Sequence, residues 1–464
     1  MQKLVSLTVL VAGLWLAVRP IQADTSAGQP FEIQLVDQEN GWPVPLVTLE
    51  TTHHLTFVTD NAGLIAIDAP ELLNREVFFH VRSDGYEVPA DGFGYRGVRL
   101  QPTAGGSARI EVSRTMLAKR LGRLTGAGQF PHSQRLGKDL DWEESGVLGA
   151  DSVQSTVHRG RRFWLWGDTT LAHYPLGIFD SSSATTKSQP LGSLKPPLRL
   201  TYDYFRDTNS LPRGVAKMPG SGPTWLSGYV SLPGRDGTSK LVACYAKIKP
   251  PLEAYERGLC VWNDEAEKFE RLKVIWRKSE GGPSPTVFPQ GHPTVWTDAN
   301  DQQWVLMGDP LPTMKFPATF EAWQDPSSWQ QLTPQETIAA AEDAVPVQPH
   351  SGSIAWNEFR QRWVSVFVQL HGEPSLLGEV WYAEADAPTG PWEDAIKVLT
   401  HEHYTFYNPR LHADLVETGS PVLLFEGTYT KEFSGNPVAT PRYDYNQVLY
   451  RIDLDEIVGT PPAE

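Results

Sequence analysis

From Phe31 to about Val112 apolar and polar residues alternate in short runs, FEIQLVD, PVPLVTLETT, LTFVTD, GLIAID, EVFFHVRSDGYEV and ARIEVSR, separated by Gly, Pro, Asn and Asp. A period of two sends successive side chains to opposite faces, so each run reads as a half-buried strand, and together they predict a small antiparallel β-sandwich. From Gly149 onward a longer unit recurs: a polar or small-residue opening, an alternating strand, a tight turn, and a second strand rich in aromatics. Its five occurrences are ADSVQSTVHRGRRFWLWGD, TWLSGYVSLPGRDGTSKLVACYAKI, GHPTVWTDANDQQWVLMGDP, HSGSIAWNEFRQRWVSVFVQLHG and NPRLHADLVETGSPVLLFEGTY. Small sheets repeated at this spacing predict a five-bladed β-propeller over residues 149–458, with GEVWYAEAD and NQVLYRIDL as outer strands of two blades.

Two stretches depart from the strand pattern. In SRTMLAKRLGRL, Ser113 to Leu124, residues Met116, Leu117, Arg120, Leu121 and Leu124 fall at helical spacing. This predicts a short basic helix with solvated charges at the start of a linker, 116–148, between a sandwich at 30–115 and the propeller. TPQETIAAAEDA, Thr333 to Ala344, predicts a helical insertion between the third and fourth blades. The expected fold is therefore all-β, with these helices as interruptions.

Length and charge narrow the function. A chain of 464 residues exceeds one ordinary small domain, in keeping with a large core plus a smaller module. A net charge of −15 lacks the basic footprint that nucleic acid or an anionic membrane needs. Of 16 Trp only Trp15 and Trp42 precede residue 100, so the propeller region holds the aromatic side chains that serve either as core or as sugar platforms. The N-terminal MQKLVSLTVLVAGLWLAVRPIQADTS has Lys3, an apolar run from Leu4 to Val18 and small residues near Ala23, the pattern of a secretory signal peptide spanning 1–23. A secreted or periplasmic monomer, free of the membrane once cut, is expected. Cys244 and Cys260, the only cysteines, lie in two runs of one expected hairpin, where either a disulfide or two buried thiols fits.

The candidate chemistry follows from the blade pattern. Starts of first strands would bring Asp151, His292, His350, Asn408 and His412 to one mouth, ends of second strands Asp168, Asp309, His371 and Glu426, and the start of a third strand Glu379. A turn centred near Gly160 places Asp151 opposite Asp168, within cross-strand reach of about 5–8 Å. Close like charges raise one pKa, which suits an acid/base pair. Glycosidic cleavage needs one protonated carboxyl and one ionised partner about 5–9.5 Å apart, so Asp151 is the candidate base or nucleophile and Glu379, Glu426 or Asp309 the candidate acid. Tyr404, Tyr407, Tyr429, Arg442 and Asp444 are candidate substrate-binding groups, although Arg442 and Asp444 equally suit a lock on the last blade. In GDT and GDP, Asp168 and Asp309 also suit turn capping. His401 and His403 have the same-face spacing that a metal site on a strand could use.

GADSVQSTVHRGRRFWLWGDT and VWYAEADAPTGPW resemble the first blade and a late outer strand of five-bladed propeller glycoside hydrolases of the arabinanase, arabinofuranosidase and levansucrase type. The resemblance spans about the last two-thirds of the chain and implies a hydrolase acting on a polysaccharide or oligosaccharide. Likewise DQENGWPVPLVTLE, TDNAG and SDGYEV resemble the transthyretin-like, carboxypeptidase regulatory-like sandwich, an accessory module. The tail from Phe425 to Leu454 is similar to that of secreted propeller proteins. One departure matters: where the family places carboxylates at the openings of the third and fourth blades, this chain has His292 and His350. That leaves open a noncatalytic glycan-binding propeller and a polysaccharide lyase using His and Tyr. No cofactor is required by the sequence, and a divalent cation would suit the histidines.

Overall fold

The computed structural model describes residues 28–178, 180–191 and 193–457; the expected signal peptide lies outside them. The chain is almost entirely β. Among the described residues no helix is long and apolar enough to cross a membrane.

Two four-stranded sheets form the N-terminal module. One orders Leu64–Ile67, Phe31–Asp37, Ser107–Arg114 and Tyr86–Glu87, and the other Thr56–Val58, Thr48–Thr51, Val77–Arg82 and Gly97–Leu100. Their alternating apolar residues, among them Ile33, Leu35, Leu49, Phe79 and Val112, meet in one buried cluster. The Phe31–Asp37 and Ser107–Arg114 strands run parallel, so this module is not purely antiparallel.

Five further four-stranded sheets follow. Sheet 1 is Gln154–His158, Arg161–Leu165, Ser183–Lys187 and Asp203–Tyr204; sheet 2 is Thr224–Pro233, Ser239–Lys249, Glu253–Asn263 and Lys268–Arg277. Sheet 3 is His292–Thr297, Gln303–Gly308, Pro312–Pro317 and Gln330–Gln331, and sheet 4 is Pro349–Asn357, Arg362–Gln369, Val380–Ala385 and Glu393–Leu399. Sheet 5 joins Thr405–Leu411, Val422–Thr430 and Asn446–Asp453 to Lys119–Arg123, a strand from far earlier in the chain. The first strands of consecutive sheets pack side by side. Arg410, on the first strand of sheet 5, donates to the Ser155 carbonyl on the first strand of sheet 1 at 2.6 Å, so the series returns to its beginning.

Lys119–Arg123 corrects the helix expected across Ser113–Leu124. All five of its residues are buried, and their cations are not solvated. Arg120 donates to the carbonyls of Pro45 and Leu46 and to the Tyr450 hydroxyl, Lys119 bonds Asp453, and Arg123 caps the Ala127 and Gly128 carbonyls. Pairing with Asn446–Asp453 satisfies the backbone across the sheet, and tertiary contacts override the helical spacing. The linker does hold one helical turn, at Pro131–Arg135. The insertion expected over Thr333–Ala344 is not helical either: Ile338–Ala339 pairs with Pro346–Val347, and Ile338 and Ala340 are buried against Trp392 and Ala395.

The two cysteines are free and buried. Cys244 faces Leu259 across the strand pair, while Cys260 faces Ala243. A one-residue offset sends their side chains to opposite faces of sheet 2, into two different core clusters.

Candidate active site

A cavity of about 540 Å³ opens where sheets 1, 2 and 3 converge, a volume typical of small-molecule sites. Its wall includes the three carboxylates Asp151, Asp168 and Asp309, together with His292 and Asn408.

The tight turn at Arg159 and Gly160 fixes the first two. Arg159 and Gly160 both take positive φ, and the register Gln154 to Leu165 and His158 to Arg161 continues outward to the two aspartates. Asp151 N–H donates to the Asp168 carbonyl at 3.2 Å, and Gly167 N–H donates to the Asp151 carbonyl at 2.9 Å. The Asp151 carboxylate lies over Gly167: a Cβ there would fall 2.3 Å from Asp151 Oδ1. Glycine before Asp168 is thus a steric requirement of the neighbouring acid. Tyr407 Oη donates to Asp151 Oδ2 at 2.7 Å, and Asp151 Oδ1 is buried without a partner. Burial pushes the Asp151 carboxyl up, against hydroxyls of Tyr407 and Tyr445 that favour its ionised form. Asp168 is pushed up to about 6, first by burial and then by the charge of Asp151, while the Trp225 indole N–H donates to it at 3.2 Å.

Asp309 directly follows the second strand of sheet 3 and accepts from Gly352 N–H, on sheet 4, at 2.8 Å. Its side chain is reached by solvent through the cavity yet hemmed in by protein, and that desolvation pushes its carboxyl up to about 7. His292 is buried, accepts at Nδ1 from Arg410 at 2.8 Å, and is held well below its ordinary pKa by burial and by the Arg410 charge. It is therefore a neutral imidazole. Asn408, where the first strand of sheet 5 slips register, donates to Ser152 Oγ at 2.7 Å and ties sheet 5 to the segment bearing Asp151.

Several expected members lie elsewhere. Glu379 is buried against Lys397 Nζ at 2.7 Å and accepts from the Thr400 hydroxyl. Glu426 and His412 are wholly buried and bonded to each other at 2.7 Å, with the His412 ring beside Trp164. None of these lines the cavity. His350 and His371 are exposed, away from the cavity lining. Tyr404 stacks on Tyr429 at 4.1 Å and donates to Asp444 at 2.7 Å, and Arg442 is exposed beside Gly128. Asp444 also accepts from Lys431 N–H, and its partners are thus Tyr404 and the Lys431 backbone, with no ion pair to Arg442. His401 and His403 precede the strand: His401 is buried, stacked on Phe406, and His403 is exposed at positive φ. Among the described residues no three His, Cys, Asp or Glu are placed to hold a metal ion.

Among the wall residues that escape a sequence reading are Trp225 and Arg257. Trp225 sits one residue into the second repeat, a position its pattern alone marks as core. Arg257 lies on the third strand of sheet 2, where RGLCVWN reads as an apolar run.

No protein-family model matches the chain, and no curated protein matches it. Its neighbours among solved structures are enzymes of the kind the sequence resembles. An exo-1,5-α-L-arabinanase from a bovine ruminal metagenomic library is 10% identical, with 67% of this chain and 94% of that one covered and a TM-score of 0.39. A GH43_1 enzyme from Xanthomonas citri, complexed with xylose, is 11% identical, with 65% and 86% covered and a TM-score of 0.35. An exo-β-1,3-galactanase from Clostridium thermocellum is 11% identical, with 65% and 58% covered and a TM-score of 0.37. At such scores the chemistry of the site has to rest on this chain's own residues.

Proposed function

We propose that the five four-stranded sheets are the blades of a five-bladed β-propeller, that the N-terminal sheets form an accessory sandwich, and that the chain is a secreted glycan hydrolase working at the cavity of Asp151, Asp168 and Asp309. The observation that carries this reading is the separation of environments among three carboxylates in one cavity. Burial pushes all three carboxyls up, Asp309 to about 7 and Asp168 to about 6, and of the three Asp151 accepts the tyrosine hydroxyl hydrogen bond, from Tyr407, that favours its ionised form. That hydrogen bond is the difference that would favour ionised Asp151 as the base and protonated Asp309 as the acid. Asp309, protonated in mild acid, would donate to the departing glycosidic oxygen. Asp151, ionised, would act as the base that takes a proton from the attacking water, with Trp225 holding Asp168 in place beside it.

The test is to incubate the mature protein with a broad polysaccharide panel, with and without chelator, following reducing ends and unsaturated-uronide absorbance together. Reducing ends alone support hydrolysis, and Asp151→Asn or Asp309→Asn should each lower the rate about a hundredfold or more. Absorbance of unsaturated products overturns hydrolysis in favour of elimination. Binding without either product overturns it in favour of a recognition module.

A further inference from the structure

The cavity has a second wall whose chemistry differs from its acidic mouth. Ala246, Ile248 and Phe288 make it apolar, and Arg257 stands among them as the one Lys or Arg lining the cavity among the described residues. Arg257 is opposite Ala246 on the neighbouring strand, which places both on the face of sheet 2 turned toward sheet 3. Its guanidinium is held from two sides: the carbon lies 5.6 Å from the Phe288 ring centroid, and Nη1 donates to Gln290 Oε1 at 3.1 Å. Although three aspartates share the cavity, Arg257 forms no ion pair with any of the described carboxylates. Nε is buried with no hydrogen-bond partner, and Nη2 has none among the described residues. These two nitrogens share one edge of the planar guanidinium, the edge that takes a carboxylate through two parallel hydrogen bonds.

A buried donor left without a partner is costly, and an immobilised guanidinium edge has little conformational freedom left to lose on binding. We propose that this wall is a subsite for an acidic glycosyl unit, a uronate, whose carboxylate is engaged by the Nε and Nη2 edge of Arg257. The sugar ring lies against the apolar wall, and the scissile bond faces the aspartates. The inference rests on reading the cavity as a glycan site. The raised pKa values of Asp168 and Asp309 lessen the repulsion an anionic sugar would otherwise meet there.

The experiment measures binding by calorimetry to the full mature chain, separately from turnover. The probes are trimers of galacturonate, glucuronate and mannuronate, their carboxyl-reduced neutral counterparts, and a sulfated neutral trimer. At least one uronide should bind about tenfold or more tightly than its neutral counterpart. Arg257→Gln should bring that ratio to within about twofold without weakening the neutral trimer, and Arg257→Lys should leave an intermediate ratio. Thermal unfolding of both variants checks that the fold is intact. Equal binding of acidic and neutral trimers, binding of none, a preference surviving in Arg257→Gln, or tighter binding of the sulfated trimer each overturns the proposal. Reducing-end release from the same probes keeps the two readings apart. Uronide binding without cleavage overturns the hydrolase and leaves the subsite, whereas cleavage of neutral trimers with no uronide preference overturns the subsite and leaves the hydrolase.

Discussion

The Tyr407 hydroxyl lies 2.7 Å from Asp151 Oδ2 and donates to it, joining the first strand of sheet 5 to the segment that opens sheet 1. The bond spans the point where the series of sheets returns to its beginning. A hydrogen bond that favours the ionised form of the candidate base is therefore supplied by sheet 5. Tyr407 in turn is held well above its ordinary pKa by burial and by the Asp151 charge, so it remains a donor across the working range of pH.

Removing that donor should be visible in the pH profile. Tyr407→Phe takes away a hydrogen bond to the ionised form of Asp151, so the acidic limb of kcat/KM should move to higher pH, with the plateau lowered about tenfold. An unshifted acidic limb, read from rates between pH 4 and 8, would count against Asp151 as the base.

Asp309 sets the opposite limb. A general acid must be protonated, so activity should fall as pH rises through about 7, and Asp309→Asn should remove this limb along with most of the rate. The same group has a stability consequence. Its folded-state pKa lies above the ordinary carboxylate value, so its contribution is fully present below about 4 and is lost as pH rises through about 7. Asp309→Asn should therefore raise Tm at pH 8, by about 1–3 °C given that solvent reaches the side chain, with the gain vanishing near pH 4. Thermal scans at the two pH values check the sign.

Gly167 has no need of a positive φ, so Gly167→Ala is compatible with its backbone, yet the new Cβ would fall 2.3 Å from Asp151 Oδ1. The carboxylate must move. Turnover should fall about a hundredfold while far-ultraviolet circular dichroism is unchanged, because misplacing a reacting group by about 1 Å costs that much. Gly137→Ala, at a position with φ +77 and open space, serves as the comparison: it should affect stability alone.

Glu379→Gln separates structure from chemistry. Glu379 is buried beside Lys397 and the Thr400 hydroxyl, outside the cavity, so the variant should keep activity within about twofold and lower Tm. A loss of turnover with unchanged Tm would return Glu379 to the catalytic set.

Arg120 should matter most for the union of the two parts of the chain. It is 1% exposed and donates both to the N-terminal module, at Pro45, Leu46 and Ser83, and to Tyr450 of sheet 5. Arg120→Met leaves several buried carbonyls without a donor and should cost about 3 kcal/mol in urea unfolding, with proteolysis of the N-terminal module accelerated.

The strands around Asp151 and Asp168 were legible because everything that pairs them is local. Two alternating runs flank one tight turn, the period of two sets which side chains share a face, and the register carries outward to the acids. The five hairpins could be read for the same reason, and with them the candidacy of Asp309 and His292. Lys119–Arg123 could not, since its residues carry helical spacing and its pairing partner lies more than 300 residues away, at Asn446–Asp453. Trp225 and Arg257 look like ordinary strand residues until sheets 1, 2 and 3 come together around one cavity. Glu379 and Glu426 have the position of site residues in the repeat but are held by Lys397 and His412. Local pattern specifies strands and turns, because backbone geometry and alternation act over a few residues. Which charges face solvent, which are paired, and which are left free to meet a ligand is settled only by contacts between sheets, and those depend on side chains distant in the chain.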